Sequence, residues 1–170
     1  LGDVYKRQMY PDSSTFGNID DSEQRHTDAV RDRLLHYGIS DPSSNDNPGV
    51  FTGEEYGDYF TEKYRELTAW GSRSELDALY VGAFIEELDM QDINNCPKIV
   101  QQLNDGIDAE SDCGLVYTDN DDIRRLYGSL LDGSGNHLRA YVRKIEAVMG
   151  EGSYVAQYLS QEQVDAILGR

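Results

Sequence analysis

One helical stripe near the start of the chain limits the possible folds more than any other feature. Residues 16–37 read FGNIDDSEQRHTDAVRDRLLHY, and steps of three and four select Phe16, Ile19, Glu23, His26, Val30, Leu34 and Tyr37. Residues at this spacing share one face of an α-helix, so the pattern predicts a helix that packs this face into a core. Glu23 and His26 interrupt the apolar stripe one turn apart. Because burying an uncompensated carboxylate costs several kcal/mol, we expect both side chains to have polar partners inside the protein.

Two later helical stripes are interrupted in the same way. The first contains, in order, Leu76, Leu79, Ala83, Glu86, Met90 and Ile93. The second contains Ile123, Leu126, Leu130, Ser134, His137, Tyr141, Ile145 and Val148. In each stripe an acidic or imidazole side chain stands where packing favours an apolar one. Glu87 lies on the flank of the first stripe, where it could reach the same space as Glu86.

These polar residues together predict a metal site in a helical core. Glu and His three residues apart on an inward face are the ligand pattern of metal-carboxylate helix bundles. Mixed carboxylate and imidazole ligands suit iron, manganese or zinc, so the residues do not select one metal. The predicted ligands are Glu23, His26, Glu86 and His137, with Glu87 as a secondary candidate. Two simpler interpretations stay open: Glu-x-x-His also arises on solvated helix faces, and a lone core histidine is usually hydrogen-bonded within the protein.

Short segments with helix-capping and helix-ending residues connect these helices. Thr52 is predicted to cap a helix with an aromatic stripe that ends at Gly71, and Asp119 is predicted to cap the last long helix. Residues 95–118 are expected to form an insertion loop containing a short helix, KIVQQL. Residues 155–168 are expected to form a C-terminal helix capped by Ser160. These elements fit a single domain over residues 1–170, a length that allows a genuine core.

The acidic composition limits the classes of partner. The sequence has 32 acidic and 15 basic residues, for a net charge of −17. Such a surface repels phosphate groups, so neither nucleic acid nor anionic lipid is expected to bind. No segment approaches the roughly 20 apolar residues of a membrane span. The sequence is compatible with a homo-oligomer and identifies no protein partner.

The two cysteines suggest an oxidising compartment. Cys96 and Cys113 are separated by 16 residues. A bond between them would stabilise the fold by roughly 3 kcal/mol on the chain-entropy model. Their spacing does not match a zinc knuckle. We therefore predict a disulfide and an extracytoplasmic or secreted protein, while two buried thiols remain the alternative.

The first residues have two interpretations. LGDVYKRQ resembles a translated transposon adapter left at the end of a metagenomic sequencing read. On that interpretation residues 1–8 are partly artefact and the natural chain begins further upstream. Alternatively, DVYKRQMY is a genuine part of a first helix, with Val4, Tyr5 and Met9 on one face. Both interpretations predict a short first helix within residues 1–10.

Four blocks of the sequence carry a family resemblance. FGNIDDSEQRHTDAV, VFTGEEY, DALYVGAFIEELDMQDI and GSGNHLRAYV occur in this order. They resemble the uncharacterised ferritin-like DUF2202 family, over roughly residues 3–168. The resemblance implies an all-α, ferritin-like four-helix up-down bundle with additional short helices. It also implies that Glu23, His26, Glu86 and His137 occupy ferritin-like ligand positions and that the protein is exported. It implies no activity.

Two departures from the family pattern weaken the implied site. The family carries a Glu-Glu-Lys stretch ahead of DVY, which this chain begins too late to contain. The ferritin-like pattern also places a glutamate three residues before the last histidine, where this sequence has Ser134. A dimetal site uses about six protein ligands, and four are found here. The chain is therefore expected to hold one metal ion or none.

Two functions follow from the sequence. The first is a metal-carboxylate protein, with oxidase or peroxide chemistry only if the site is complete. The second is a non-enzymatic exported structural or interaction module, in which the Glu–His pairs are metal-free remnants of an ancestral site. The sequence contains no nucleophile with a base beside it and no phosphate-binding glycine loop, so no other reaction class is indicated.

Overall fold

The fold is all-α. The computed structural model describes residues 3–42, 47–51, 53, 56–103, 106–107 and 112–170. Regular structure within these ranges consists of helices alone: α1 (Asp3–Met9), α2 (Ser14–His36), α3 (Gly57–Gly71), α4 (Glu75–Asn94), α5 (Lys98–Leu103), α6 (Gly114–Tyr117), α7 (Asp121–Met149) and α8 (Gln161–Leu168). The predicted all-α class with additional short helices is confirmed. Within the described ranges, the helices are each too short or too polar to cross a membrane.

Contacts within the chain group it into two compact units, residues 1–81 and 82–170. In the first unit, the predicted short first helix is confirmed as α1, which packs on α2. The Tyr10 ring lies 5.8 Å from the fully buried Phe16 ring, and its hydroxyl donates to the Gly71 carbonyl at 2.9 Å. Arg7 Nη1 lies 3.0 Å from carboxylate oxygens of both Asp20 and Asp21. Arg7 and Tyr10 therefore hold the end of α1 and the following turn against the rest of this unit.

The α2 helix contains nearly all of the predicted stripe and ends at His36. Two residues further on, the φ of 68° at Gly38 lets the Ile39 N–H donate back to the Leu34 carbonyl at 2.9 Å. Phe16 and Ile19 are buried, but Tyr37 is 41% exposed. The stripe residues between Ile19 and Tyr37 are half-buried, so the predicted face is confirmed except at Tyr37.

Two predicted N-caps are revised by the structure. The helix predicted from Thr52 begins at Gly57 as α3, while Thr52 itself lies outside the described residues. The last long helix is capped by Asn120 rather than Asp119: the Asn120 side chain accepts from the backbone N–H groups of Asp122 and Ile123 at 2.9 and 3.3 Å. Asn and Asp are equally good caps, so local preference does not choose between neighbours.

The second unit is built around α7, whose central turns are buried. Its fully buried residues include Leu138, Tyr141 and Ile145. The Tyr141 ring packs directly on Gly82 of α4, where an added Cβ would overlap it. Val148, the last residue of the predicted stripe, is 67% exposed. The stripe of α7 is thus a core face up to Ile145.

A disulfide and a capping box fix the remaining short helices of the second unit. Cys96 and Cys113 are bonded, with Cα atoms 4.7 Å apart, so the predicted pairing is confirmed. The bond joins the end of α4 to the start of α6, where Gly114 (φ 68°) brings the backbone against Asn94. The predicted cap of α8 is also confirmed, since Ser160 and Gln163 form a reciprocal capping box.

Candidate metal centre

The second unit places two of the predicted ligands side by side. Glu86 on α4 is 2% exposed and His137 on α7 is 8% exposed. His137 Nδ1 lies 3.3 Å from Glu86 Oε1. Small residues surround this level of the helices, since Ala83 and Ser134, each one turn before a predicted ligand, are buried as well. Burial of an acid beside an imidazole satisfies the requirement for a polar partner.

The separation of these atoms suits a shared metal ion. Nitrogen and oxygen ligands lie about 2.0–2.2 Å from zinc, so two ligands of one ion at ordinary coordination angles are roughly 3.0–3.5 Å apart. The 3.3 Å between Glu86 Oε1 and His137 Nδ1 falls in that range. The same separation also allows a direct ionic contact between a carboxylate and an imidazolium. The donor set therefore fits a metal without requiring one.

The first unit carries the other predicted pair. Glu23 Oε2 and His26 Nδ1 on α2 are 3.3 Å apart, which is the i,i+3 contact that the sequence predicts. Their side chains are 28% and 21% exposed, respectively. This pair is therefore more accessible to solvent than the pair in the second unit. Its atoms are also spaced for two ligands of one ion.

Glu87, the secondary candidate, has a different environment from that of Glu86. Its fully buried carboxylate accepts from the Tyr154 hydroxyl at 2.6 Å. It also accepts from the backbone N–H groups of Gln157, Tyr158 and Leu159 at 2.9, 2.6 and 2.9 Å. Both oxygens are thereby occupied by the loop between α7 and α8. Glu87 anchors that loop to α4, and we leave it out of the ligand set proposed below.

Asp92 is a second acidic group whose setting the sequence did not reveal. Its Oδ1 is buried and accepts no hydrogen bond from the described residues. This burial raises the pKa of Asp92 to about 6, while the positive charge of Lys98 acts in the opposite direction. The helical pattern offered no signal for this, since Asp92 lies off the apolar stripe of α4.

The comparisons with known proteins agree with the sequence resemblance. The model of the uncharacterized protein domain DUF2202 matches residues 2–113 and 111–170. The chain is 39% identical over 153 residues to the uncharacterized protein MJ0754 of Methanocaldococcus jannaschii, covering 90% of this chain and 70% of that protein. The crystal structure of the hypothetical protein MJ0754 from Methanococcus jannaschii DSM 2661 is similar, with a TM-score of 0.76 and 37% identity. That similarity covers 99% of this chain and 83% of that chain. The chain therefore belongs to the uncharacterised DUF2202 family.

Proposed function

We propose that this protein binds a single divalent metal ion through Glu86 and His137, the buried pair of the second unit. The observation that carries the proposal is the buried Glu86–His137 pair, whose ligand atoms are 3.3 Å apart. Both residues offer a ligand atom of a type that divalent metals accept. Glu23 and His26, the matching pair on α2 of the first unit, form a second candidate pair with the same types of ligand atom.

The charges of the proposed ligands favour one ion rather than two. Glu86 and His137 supply one carboxylate and one neutral imidazole, which is too little negative charge and too few ligands for two divalent cations. Ser134 is buried one turn before His137, where a glutamate would be needed for a second ion. Two ions held by these residues would leave an excess of positive charge in a poorly solvated site. Iron, manganese and zinc are the candidates, because each accepts this mixture of ligands.

The proposal is tested by metal titration of the purified, metal-stripped chain. We expect one Fe²⁺, Mn²⁺ or Zn²⁺ bound per chain by elemental analysis and calorimetry. Glu86→Gln or His137→Ala should weaken binding by at least about 10–100-fold, the loss typical of removing even an indirect contributor to a site. Glu151→Gln makes the same change of side chain at an exposed position, and this variant should bind metal like the unaltered chain. Unchanged affinity in the Glu86 and His137 variants would refute the site.

Variants of the other pair test whether α2 also holds metal. Glu23→Gln and His26→Ala should lower metal binding if this pair contributes ligands. If only the Glu86 and His137 variants lose metal, the ligand set is confined to the second unit. If the chain binds no metal at micromolar concentrations, that result supports the alternative function, a non-enzymatic module in which both Glu–His pairs are stabilising ion pairs.

We further propose that the protein works in an oxidising, extracytoplasmic compartment. The support is the bonded Cys96–Cys113 pair, because structural disulfides persist mainly where thiols are not kept reduced. Mass spectrometry after alkylation of the protein taken directly from its cells tests this. The bond should be intact without added oxidant, and full alkylation of both cysteines would contradict the proposed compartment.

A further inference from the structure

A groove of about 780 Å³ runs along α7 within the second unit, away from the Glu86–His137 pair. One face of α7 contributes Leu131, Asp132, Gly135, Asn136 and Arg139, and α4, α6 and α8 supply the other walls. The lining combines apolar side chains with carboxamides, an acid and a guanidinium. This mixture differs from the purely apolar lining of a site for a hydrocarbon chain.

The two charged groups lie at different levels of the groove. Asp132 and Arg139 are seven residues apart on one helix, which corresponds to a rise of about 10.5 Å. Arg139 donates from Nε to the Ile167 carbonyl and from Nη1 to Asn136 Oδ1, both at 2.8 Å. Among the described residues, none accepts from its Nη2 and none pairs with Asp132. The groove thus presents a positive and a negative group about two helical turns apart.

Carboxamide groups line the other walls of the groove. Gln163 uses Oε1 to accept from the Ser160 N–H at 2.9 Å, and its Nε2 donates to none of the described residues. Gln91 donates from Nε2 to Asn95 at 3.2 Å, and its Oε1 accepts from none of them. A carboxamide carries the same donor and acceptor as a peptide group. These walls can therefore hydrogen-bond a peptide backbone.

Gly135 keeps the middle of the groove open. Glycine inside a helix is less favourable than alanine by about 1 kcal/mol. Packing does not require this glycine, since the nearest atoms to a Cβ built there are 3.8 Å away, on Arg139 and Ile167. Gly135 lines the groove together with Arg139 and Ile167, so a larger side chain here would take up space beside them. A close helix contact therefore does not explain this glycine.

We propose that this groove binds a short peptide of about three residues with free termini. An extended chain spans at most about 3.3–3.6 Å per residue, so three residues match the separation of the two charges. Arg139 Nη2 donates to the terminal carboxylate, and Asp132 accepts from the terminal ammonium group. Gln91 and Gln163 bond the peptide backbone, and the apolar floor receives its side chains. This site is independent of the proposed metal function.

The test uses calorimetry or NMR titration of the full chain with the tripeptide Ala-Leu-Ala. Amidating its C-terminus or acetylating its N-terminus should weaken binding about 10-fold or more. The Arg139→Gln variant should bind the peptide with a free C-terminus and the peptide with an amidated C-terminus equally well. The Asp132→Asn variant should bind the peptide with a free N-terminus and the peptide with an acetylated N-terminus equally well. This comparison within each variant remains informative even if Arg139→Gln loosens α8.

A matched pair of glycine variants tests the location. Gly135→Leu should abolish binding by filling the groove, while Gly128→Leu should leave it unchanged, because nothing lies within 4 Å of a Cβ at that helical position. Far-ultraviolet circular dichroism should show both variants equally helical. The proposal is overturned if Ala-Leu-Ala does not bind at millimolar concentration, if the doubly blocked peptide binds equally well, or if Gly135→Leu binds like the unaltered chain.

Discussion

Replacement of Glu87 is expected to release the loop between α7 and α8 from α4. Its carboxylate accepts from four donors, namely the Tyr154 hydroxyl and the backbone N–H groups of Gln157, Tyr158 and Leu159. A hydrogen bond to a charged group contributes about 1.5–3 kcal/mol. The sum overstates the loss, because water can reach the part of the loop around Gln157 and Tyr158, which are only half-buried. We expect Glu87→Ala to lower the free energy of unfolding by about 3–5 kcal/mol, because it leaves four donors without their acceptor and each donor that stays buried without a partner costs about 1–3 kcal/mol.

Glu87→Gln provides the graded control. Its amide oxygen can still accept from the three backbone N–H groups, and the hydroxyl of Tyr154 can turn to accept from the new amide. Because charge-assisted hydrogen bonds are roughly twice as strong as neutral ones, we expect a loss of about 2 kcal/mol. Tyr154→Phe removes one donor and should cost about 1–2 kcal/mol. Its effect should shrink in the Glu87→Ala background, because the hydroxyl has then already lost its acceptor.

Urea unfolding measures these free energies, and native-state amide hydrogen exchange locates them. In Glu87→Ala, the amides of residues 157–159 should exchange much faster, while amides in the centre of α7 should change only with global stability. A cost below about 1 kcal/mol for Glu87→Ala would refute the reasoning. So would unchanged exchange at residues 157–159, because these N–H groups would then be protected by something other than the carboxylate.

Two further predictions concern Asp92 and Gly82. Burial raises the folded-state pKa of Asp92 from 3.8 to about 6, so the unfolded chain loses this proton at lower pH than the folded chain. The Asp92 contribution should therefore make the free energy of unfolding fall as pH rises from about 4 to 6, and it should stay constant at higher pH. Urea unfolding of Asp92→Asn should lack this pH-dependent contribution. A pH profile of Asp92→Asn identical to that of the unaltered chain would contradict the prediction. Gly82→Ala should destabilise the fold by about 1–3 kcal/mol because its Cβ overlaps the Tyr141 ring. Gly128→Ala should instead raise the free energy of unfolding by up to about 1 kcal/mol, because a Cβ there meets open space. Equal changes of the melting temperature in the two variants would refute the packing argument.

Local interactions were sufficient to predict most of the helices from the sequence. The α8 helix is capped by Ser160 because a capping box involves only residues three apart, and the turn after α2 contains Gly38 because a positive φ suits glycine. The pairing of Cys96 with Cys113 was predictable because the chain has only these two cysteines. Spacing alone also placed Glu23 beside His26, one turn away on the same helix.

Tertiary structure decided which polar side chains share an environment. Glu86 and Glu87 are adjacent in sequence, yet Glu86 lies beside His137 while Glu87 binds a loop about 70 residues further along the chain. No local pattern distinguishes these two carboxylates, because their partners come from distant segments. The same holds for Asp92, whose raised pKa depends on burial that helical spacing does not report. Helical periodicity assigns residues to faces, whereas the desolvation and hydrogen-bond partners of each face depend on which segments pack against it.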